Sequence, residues 1–186
     1  MATPVPVHIS SKPKSTLVPH AVMSAPTAHT LKTPWVLWVH NVKDTGWDLR
    51  NYTQLATYST AEEVISLTRS LNEHIVRTCM LFVMRKGIAP MWEDSKNRNG
   101  GTFSYKVRHE NVFSTWCMLM RALAGESVGE SDPSFSSHIT GASISAKRGF
   151  SIIKIWMDCR TYQDPRVIGN IGGIAPDGCL FKNTGT

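Results

Sequence analysis

No acidic residue precedes Asp44 and no arginine precedes Arg50. No run approaches the roughly 18 consecutive apolar residues that a helix needs to cross a bilayer, so a membrane-spanning chain is excluded. The N-terminus lacks the apolar stretch of a secretory signal. The four cysteines (Cys79, Cys117, Cys159 and Cys179) form no Cys-x-x-Cys pair, and no histidine lies at zinc-finger spacing from them. Reduced thiols in a cytosolic or nuclear setting, with no structural metal, are therefore expected. There is no Walker loop, no His-Glu-x-x-His and no dense cluster of carboxylates for a metal, and the seven histidines are scattered. An enzyme finds no support in these absences, and no cofactor is implied. What the chain does have is 41% hydrophobic residues over 186 positions, enough for one domain with a core. Twenty Lys and Arg face fourteen Asp and Glu, and six tryptophans are present. Basic charge with flat aromatic faces points towards a nucleotide or nucleic acid.

Residues 1–28 hold five of the ten prolines and no tryptophan. Proline at that spacing blocks a helix, and little there can bury apolar area, so the segment reads as a flexible tail before a domain over 29–186. Within that domain Trp35, Leu37 and Val39 alternate with Val36 and Trp38, the two faces of a strand. A turn follows through Lys43-Asp44-Thr45-Gly46, with Trp47 at its tip or just beyond it. Thr60-Ala61-Glu62-Glu63 reads as a capping box opening a helix that aligns Val64, Leu67, Leu71 and Ile75. Strands are expected over Cys79 to Met84 and Gly101 to Val107. A second helix, from about Asn111 to Ala124, buries Phe113, Trp116, Met120 and Leu123 and ends at Gly125. A hairpin joins Ile139 to Ala146 with Phe150 to Met157, and a weak strand lies at Cys179-Leu180-Phe181. The sum is an α+β domain, an antiparallel sheet with its helices segregated on one face.

Trp35, Trp38 and Trp116 fall in periodic apolar segments and read as core. Trp47 and Trp92 do not: both lie in polar loops, where an indole packs on the protein or on a ligand. Glu93 follows Trp92. A carboxylate accepts two N–H bonds side by side, which matches the N1–H and N2–H₂ edge of guanine. Two indoles would sandwich the base, with a gain if it is cationic, as N7-methylated guanine is. Lys147, Arg148 and Lys154 would then meet its phosphates.

Met91-Trp92-Glu93-Asp94-Ser95-Lys96-Asn97-Arg98-Asn99-Gly100-Gly101 closely resembles the signature loop of the eukaryotic translation initiation factor 4E family, which binds the mRNA 5′ cap. His29-x-Leu31-x3-Trp35-x-Leu37-Trp38 resembles the family's opening strand, Leu123-Ala124-Gly125-Glu126-Ser127 the end of its second helix, and Ile153-Lys154-Ile155-Trp156 the strand carrying a further cap tryptophan. The resemblance covers about residues 29 to 171. It implies a curved antiparallel sheet with helices on the convex face and the cap slot on the concave face. It implies that Trp47 and Trp92 stack on 7-methylguanine, that Glu93 accepts its N1 and N2 hydrogens, and that Trp156 contacts the methyl group. It further implies phosphate contacts from Lys147, Arg148 and Lys154, with a hairpin turn one residue longer than the family's. Thr102 stands where the family has a basic residue after the double glycine.

The implied partners are capped mRNA, and a 4G-type scaffold or another 4E-interacting protein docking on the helices. Ile65 replaces the tryptophan that marks that docking site, and Cys117 and Arg121 replace groove residues. A guanidinium in an apolar groove predicts an altered or weaker partner. The divergence, with the short segment after Ile171, resembles the trypanosomatid members, whose mRNAs carry extra cap methylations. The reading is thus a monomeric, cytoplasmic cap-binding initiation factor, with a cap-binding repressor or mRNA-storage factor as the alternative.

Overall fold

The computed structural model describes residues 28–40, 45–129, 132 and 134–184. The expected tail, Ala28 excepted, lies outside the described residues, as do Lys43 and Asp44 of the expected turn. The alternation around Trp35 becomes strand β1 (Thr30–His40), paired antiparallel with β2 (Tyr52–Thr60) on one side and β3 (Met80–Arg85) on the other. Strands β4 (Gly101–Arg108), β5 (Ile139–Lys147), β6 (Phe150–Met157) and β7 (Leu180–Asn183) complete one antiparallel sheet, in the order β2-β1-β3-β5-β6-β4-β7.

The sheet is curved, and the period-2 pattern sorts its side chains between two faces. Trp35, Leu37, Leu81, Val83, Phe103, Ile153 and Ile155 point to the convex side, where they meet Trp116, Leu119, Met120 and Leu123 of helix α3 (Val112–Ala124) and Val64 of helix α1 (Ala61–Ser70). Phe113, expected on the buried stripe, is only partly buried at its edge. A smaller apolar cluster, Tyr52, Phe82, Met84 and Trp156 with Trp38 beside it, lies on the concave side.

The capping box forms as read. Glu63 N–H donates to Thr60 Oγ1 at 3.2 Å and Thr60 N–H to Glu63 Oε2 at 3.1 Å. The helix it opens is shorter than its apolar stripe implies. Leu71 is extended (ψ 129), and Asn72 caps a separate turn of helix, α2 (Glu73–Thr78), by accepting from His74 N–H at 2.8 Å. Leu67, Leu71 and Ile75 still pack against the core across the break.

Helix α3 ends at Gly125 as expected, but the left-handed residue is Glu126, at φ 53. That conformation costs a non-glycine residue about 1 kcal/mol or more. It aims the Glu126 carboxylate at Arg85, which donates to both oxygens at 2.6 and 2.8 Å. Arg85 also donates to the carbonyls of Ile139 and Ser136 and lies 4.7 Å over the Trp35 ring. Both partners are largely buried. Arg85→Met should therefore lower stability by about 3 kcal/mol in urea unfolding, because it strands a buried carboxylate. Adding Glu126→Gly should recover most of that loss, since glycine adopts the positive φ freely and leaves no charge behind.

Candidate functional site

Two polar loops overhang the concave face. The first follows β1 and carries Trp47, 56% exposed. Its indole stacks on the imidazole of His40, the last residue of β1, with centroids 4.4 Å apart and planes 20° from parallel. The second runs from β3 to β4 and carries Trp92, 44% exposed, and Glu93. This loop is built, not slack. Asp94 accepts from the N–H groups of Ala89 and Lys96 at 2.8 and 2.9 Å. Asn97, wholly buried, donates to the carbonyls of Ala89 and Met91. At its far end a Cβ on Gly100 would collide with the Met157 carbonyl, and one on Gly101 with the Phe181 ring, so only glycine lets the loop join β4 there.

Trp47 and Trp92 line one cavity of about 300 Å³, together with Met80, Ser143, Ser145, Ile152, Lys147 and Lys154. Trp156 lies beneath Trp92, 2% exposed; the ring centroids are 5.7 Å apart and nearly perpendicular. Its Nε1–H donates to Ser143 Oγ at 3.0 Å, which fixes the ring. Lys154 Nζ sits 5.0 Å over the Trp92 ring, and burial, then the charges of Lys182 and Lys147, pushes its ammonium below the usual lysine range. Among the described residues Glu93 has no hydrogen-bond partner. Its charge is nonetheless felt inside: Tyr52 is pushed up to about 12, first by burial and then by Glu93. A larger recess of about 380 Å³ between Trp38, Leu49 and residues 86–89 has one indole wall only and offers no sandwich.

Of the basic residues read from the hairpin, Lys147 and Lys154 reach the cavity, whereas Arg148 is exposed at the turn and does not line it. Lys182, which the sequence reading passed over, pairs in register with Thr102 and shares the concave face with Lys154 and Trp156. A cation thus stands beside the position where the expected basic residue is Thr102. On the opposite face Ile65 and Met118 are exposed, and Arg121 Nε donates to Thr68 Oγ1 at 2.9 Å across the helix pair. Cys117 is turned inward, its thiol on the Thr68 carbonyl and pushed up by burial. Among the described residues one group, His138, Asp158 and Cys159, brings three metal-capable atoms within 4.8 Å of one another. It lies outside the cavity, and His138 and Asp158 already bond each other at 2.9 Å.

The model of the family described as eukaryotic initiation factor 4E matches residues 30–175. The chain belongs to that family. Initiation factor 4E-2 of Schizosaccharomyces pombe is 27% identical over 149 residues, 77% of this chain and 59% of that protein. Human initiation factor 4E is 27% identical over 151 residues, 77% of this chain and 67% of that protein. The chain thus spans about six-tenths to two-thirds of these relatives. Among solved structures, C. elegans eIF4E-3 in complex with the 4E-binding protein Mextli and cap analog superposes with TM-score 0.63 at 23% identity, over 73% of this chain and 77% of that one. Schistosome eIF4E complexed with m7GpppG and 4E-BP gives TM-score 0.64 at 24% identity, over 73% and 75%. The curved sheet with helices on one face is therefore the 4E fold. No helix among the described residues is long and apolar enough to cross a membrane.

His40, Asn97 and Lys182 are the residues of this candidate site to which the sequence reading gave no role. Asp94-x-x-Asn97 after a proline was the available signal for a braced loop. A single strand histidine and a lysine on a short terminal strand gave none.

Proposed function

We propose that the chain binds the 7-methylguanosine 5′ cap of mRNA, stacking the base between Trp47 and Trp92. The observation that carries this reading is the shared cavity: two exposed indoles wall it, and lysines edge it. A cationic base gains from the electron-rich ring faces, and stacking is worth about 1–3 kcal/mol per base. Glu93 would accept the N1 and N2 hydrogens, while Trp156 would close the end of the slot at the methyl group. Lys147, Lys154 and Lys182 would meet the phosphates; Arg148, at the exposed turn, would act at longer range. Lys154 lies over Trp92 in the free protein, so binding would move its ammonium from the indole to a phosphate.

Intrinsic fluorescence titration tests this. 7-Methyl-GTP is expected to quench and to bind at least about tenfold more tightly than GTP, the value of the added cation–π term. 7-Methyl-GMP should fall between them. Equal responses to 7-methyl-GTP and GTP would dismiss cationic stacking.

The wider reading is a monomeric, cytoplasmic factor whose domain starts near residue 29. It would deliver capped mRNA to a 4G-type scaffold docked on α1 and α3 through Ile65 and its surroundings. A repressor or storage factor without 4G binding is the second reading, favoured by the Arg121–Thr68 bond that sets a guanidinium across the helix pair. Co-purification of a 4G scaffold from extract supports the first; its absence while cap is retained supports the second.

A further inference from the structure

Trp47 is the more exposed of the two indoles, yet it does not hang free. It stands between the slot that it walls with Trp92 and a second recess, of about 230 Å³, that it shares with His40 and Lys147. One indole face is therefore covered by imidazole while the ring still borders the slot. The imidazole is itself enclosed. His40 is 4% exposed, it closes β1 between Tyr52 and Met80 in the ladder, and the Tyr52 ring meets it edge-on at 4.9 Å. Its Nε2 lies 2.9 Å from the Gly46 carbonyl, one residue before Trp47. A carbonyl only accepts, so Nε2 carries the hydrogen, and in the neutral ring Nδ1 carries none. The same imidazole thus holds both the backbone and the side chain of the loop that presents Trp47.

We propose that His40 is a positioning residue of the base sandwich, holding Trp47 ready for the base and making cap binding sensitive to acid. The inference rests on the Trp47–Trp92 sandwich proposed above. Two physical effects carry it. An exposed tryptophan that must be ordered on binding weakens association by about threefold to tenfold, and a fixed stack removes that loss beforehand. The second effect is electrostatic. 7-Methylguanine is a cation, and it draws on the π-density of Trp47 from one face. Protonation of His40 at Nδ1 sets a second cation against the same ring, so the two compete for its π-density and repel. Proton uptake at His40 and cap binding therefore oppose each other.

Other titratable and charged groups face this imidazole. Tyr52 comes from β2 and carries the field of Glu93; Cys79, next to β3, and Lys147, from β5, line the recess. Asp48 and Arg50, beside Trp47, bond each other at 3.1 Å. His40→Phe keeps all of these and keeps an aromatic platform, but it removes the proton site. The ratio of wild-type to His40→Phe dissociation constants therefore cancels their titration and that of the ligand.

The experiment measures Kd for 7-methyl-GTP at pH 7.5, 6.5 and 5.5 on the full chain, with wild type, His40→Phe, His40→Ala and Trp47→Ala. The Kd ratio of wild type to His40→Phe is expected to rise about fivefold between pH 7.5 and 5.5. His40→Ala is expected to bind about tenfold more weakly than His40→Phe at every pH, and than wild type at pH 7.5, because it loses the platform. A ratio constant within about twofold, or a His40→Ala protein that binds like wild type, overturns the proposal. Should His40→Ala fail to fold, the His40→Phe ratio alone decides. Undiminished binding by Trp47→Ala overturns the sandwich and the proposal with it. Loss in Trp47→Ala without loss in His40→Ala overturns the role of His40 alone.

Discussion

Trp92→Leu is expected to weaken 7-methyl-GTP binding by about 100-fold while leaving the fold intact. The loop that carries Trp92 is held by Asp94 and Asn97, whose bonds do not involve the indole. The indole is 44% exposed, so its loss removes little buried area, and thermal unfolding should shift by no more than a few degrees. What is lost is one face of the sandwich, about 1–3 kcal/mol of stacking, together with its share of the cation–π attraction. The lysines remain. Lys154 would be released from the Trp92 ring, and with Lys147 and Lys182 it would keep a weak, salt-sensitive hold on any nucleoside triphosphate. The preference for 7-methyl-GTP over GTP should accordingly collapse towards one. Titration of both ligands by calorimetry at two salt concentrations measures affinity, preference and salt dependence together. A variant that keeps the wild-type preference would remove Trp92 from the site.

How much of this molecule is legible in its sequence differs from element to element, for physical reasons. The two faces of β1 are written in strict alternation, and the structure divides Trp35 and Leu37 from Trp38 as the period requires. The start of α1 is equally plain, because a capping box is a local device whose partners lie three residues apart. The break at Leu71 is not plain. Leu67, Leu71 and Ile75 touch the core on both sides of it, so the apolar period continues although the helix stops. Asn72, a capping residue inside the stripe, is the one local clue. At the end of α3 the glycine draws the eye, but the left-handed residue is Glu126, through a bond to Arg85 that lies 41 residues away in sequence. No local pattern encodes that. The candidate site divides in the same way. Trp47 and Trp92 stand out because large rings in polar loops conflict with their surroundings, and Glu93 because it follows one of them. His40 and Lys182 obey local rules, as a strand histidine and a strand-end lysine. Only the stack and the β4–β7 register give them neighbours that matter.

Glu93→Gln is the sharper probe, because it changes almost no volume and reverses one hydrogen-bonding group. Both oxygens of the carboxylate accept, and N1–H and N2–H₂ of guanine both donate. An amide offers one acceptor and one donor, so one donor of the base would face an N–H and go unpaired. Leaving such a group unsatisfied costs about 1–3 kcal/mol, and the charge that strengthened the other bond is lost as well. An affinity loss of about 100-fold for 7-methyl-GTP follows. The two edges are separable with 7-methyl-ITP, which lacks the N2 amine. Wild type should discriminate against it by about tenfold, and Glu93→Gln by less than about twofold, since the variant already fails to satisfy both donors. Equal discrimination by the two proteins would place the base edge elsewhere. The free protein supplies a second readout. Tyr52 is held up to about 12 partly by the Glu93 charge, and a neighbouring anion raises a phenol by disfavouring its ionised form. Neutralising Glu93 must therefore let Tyr52 ionise at lower pH, visible as phenolate absorbance near 295 nm in alkaline titration. A Tyr52 unmoved by the substitution would put the carboxylate farther from Tyr52 than the structure has it.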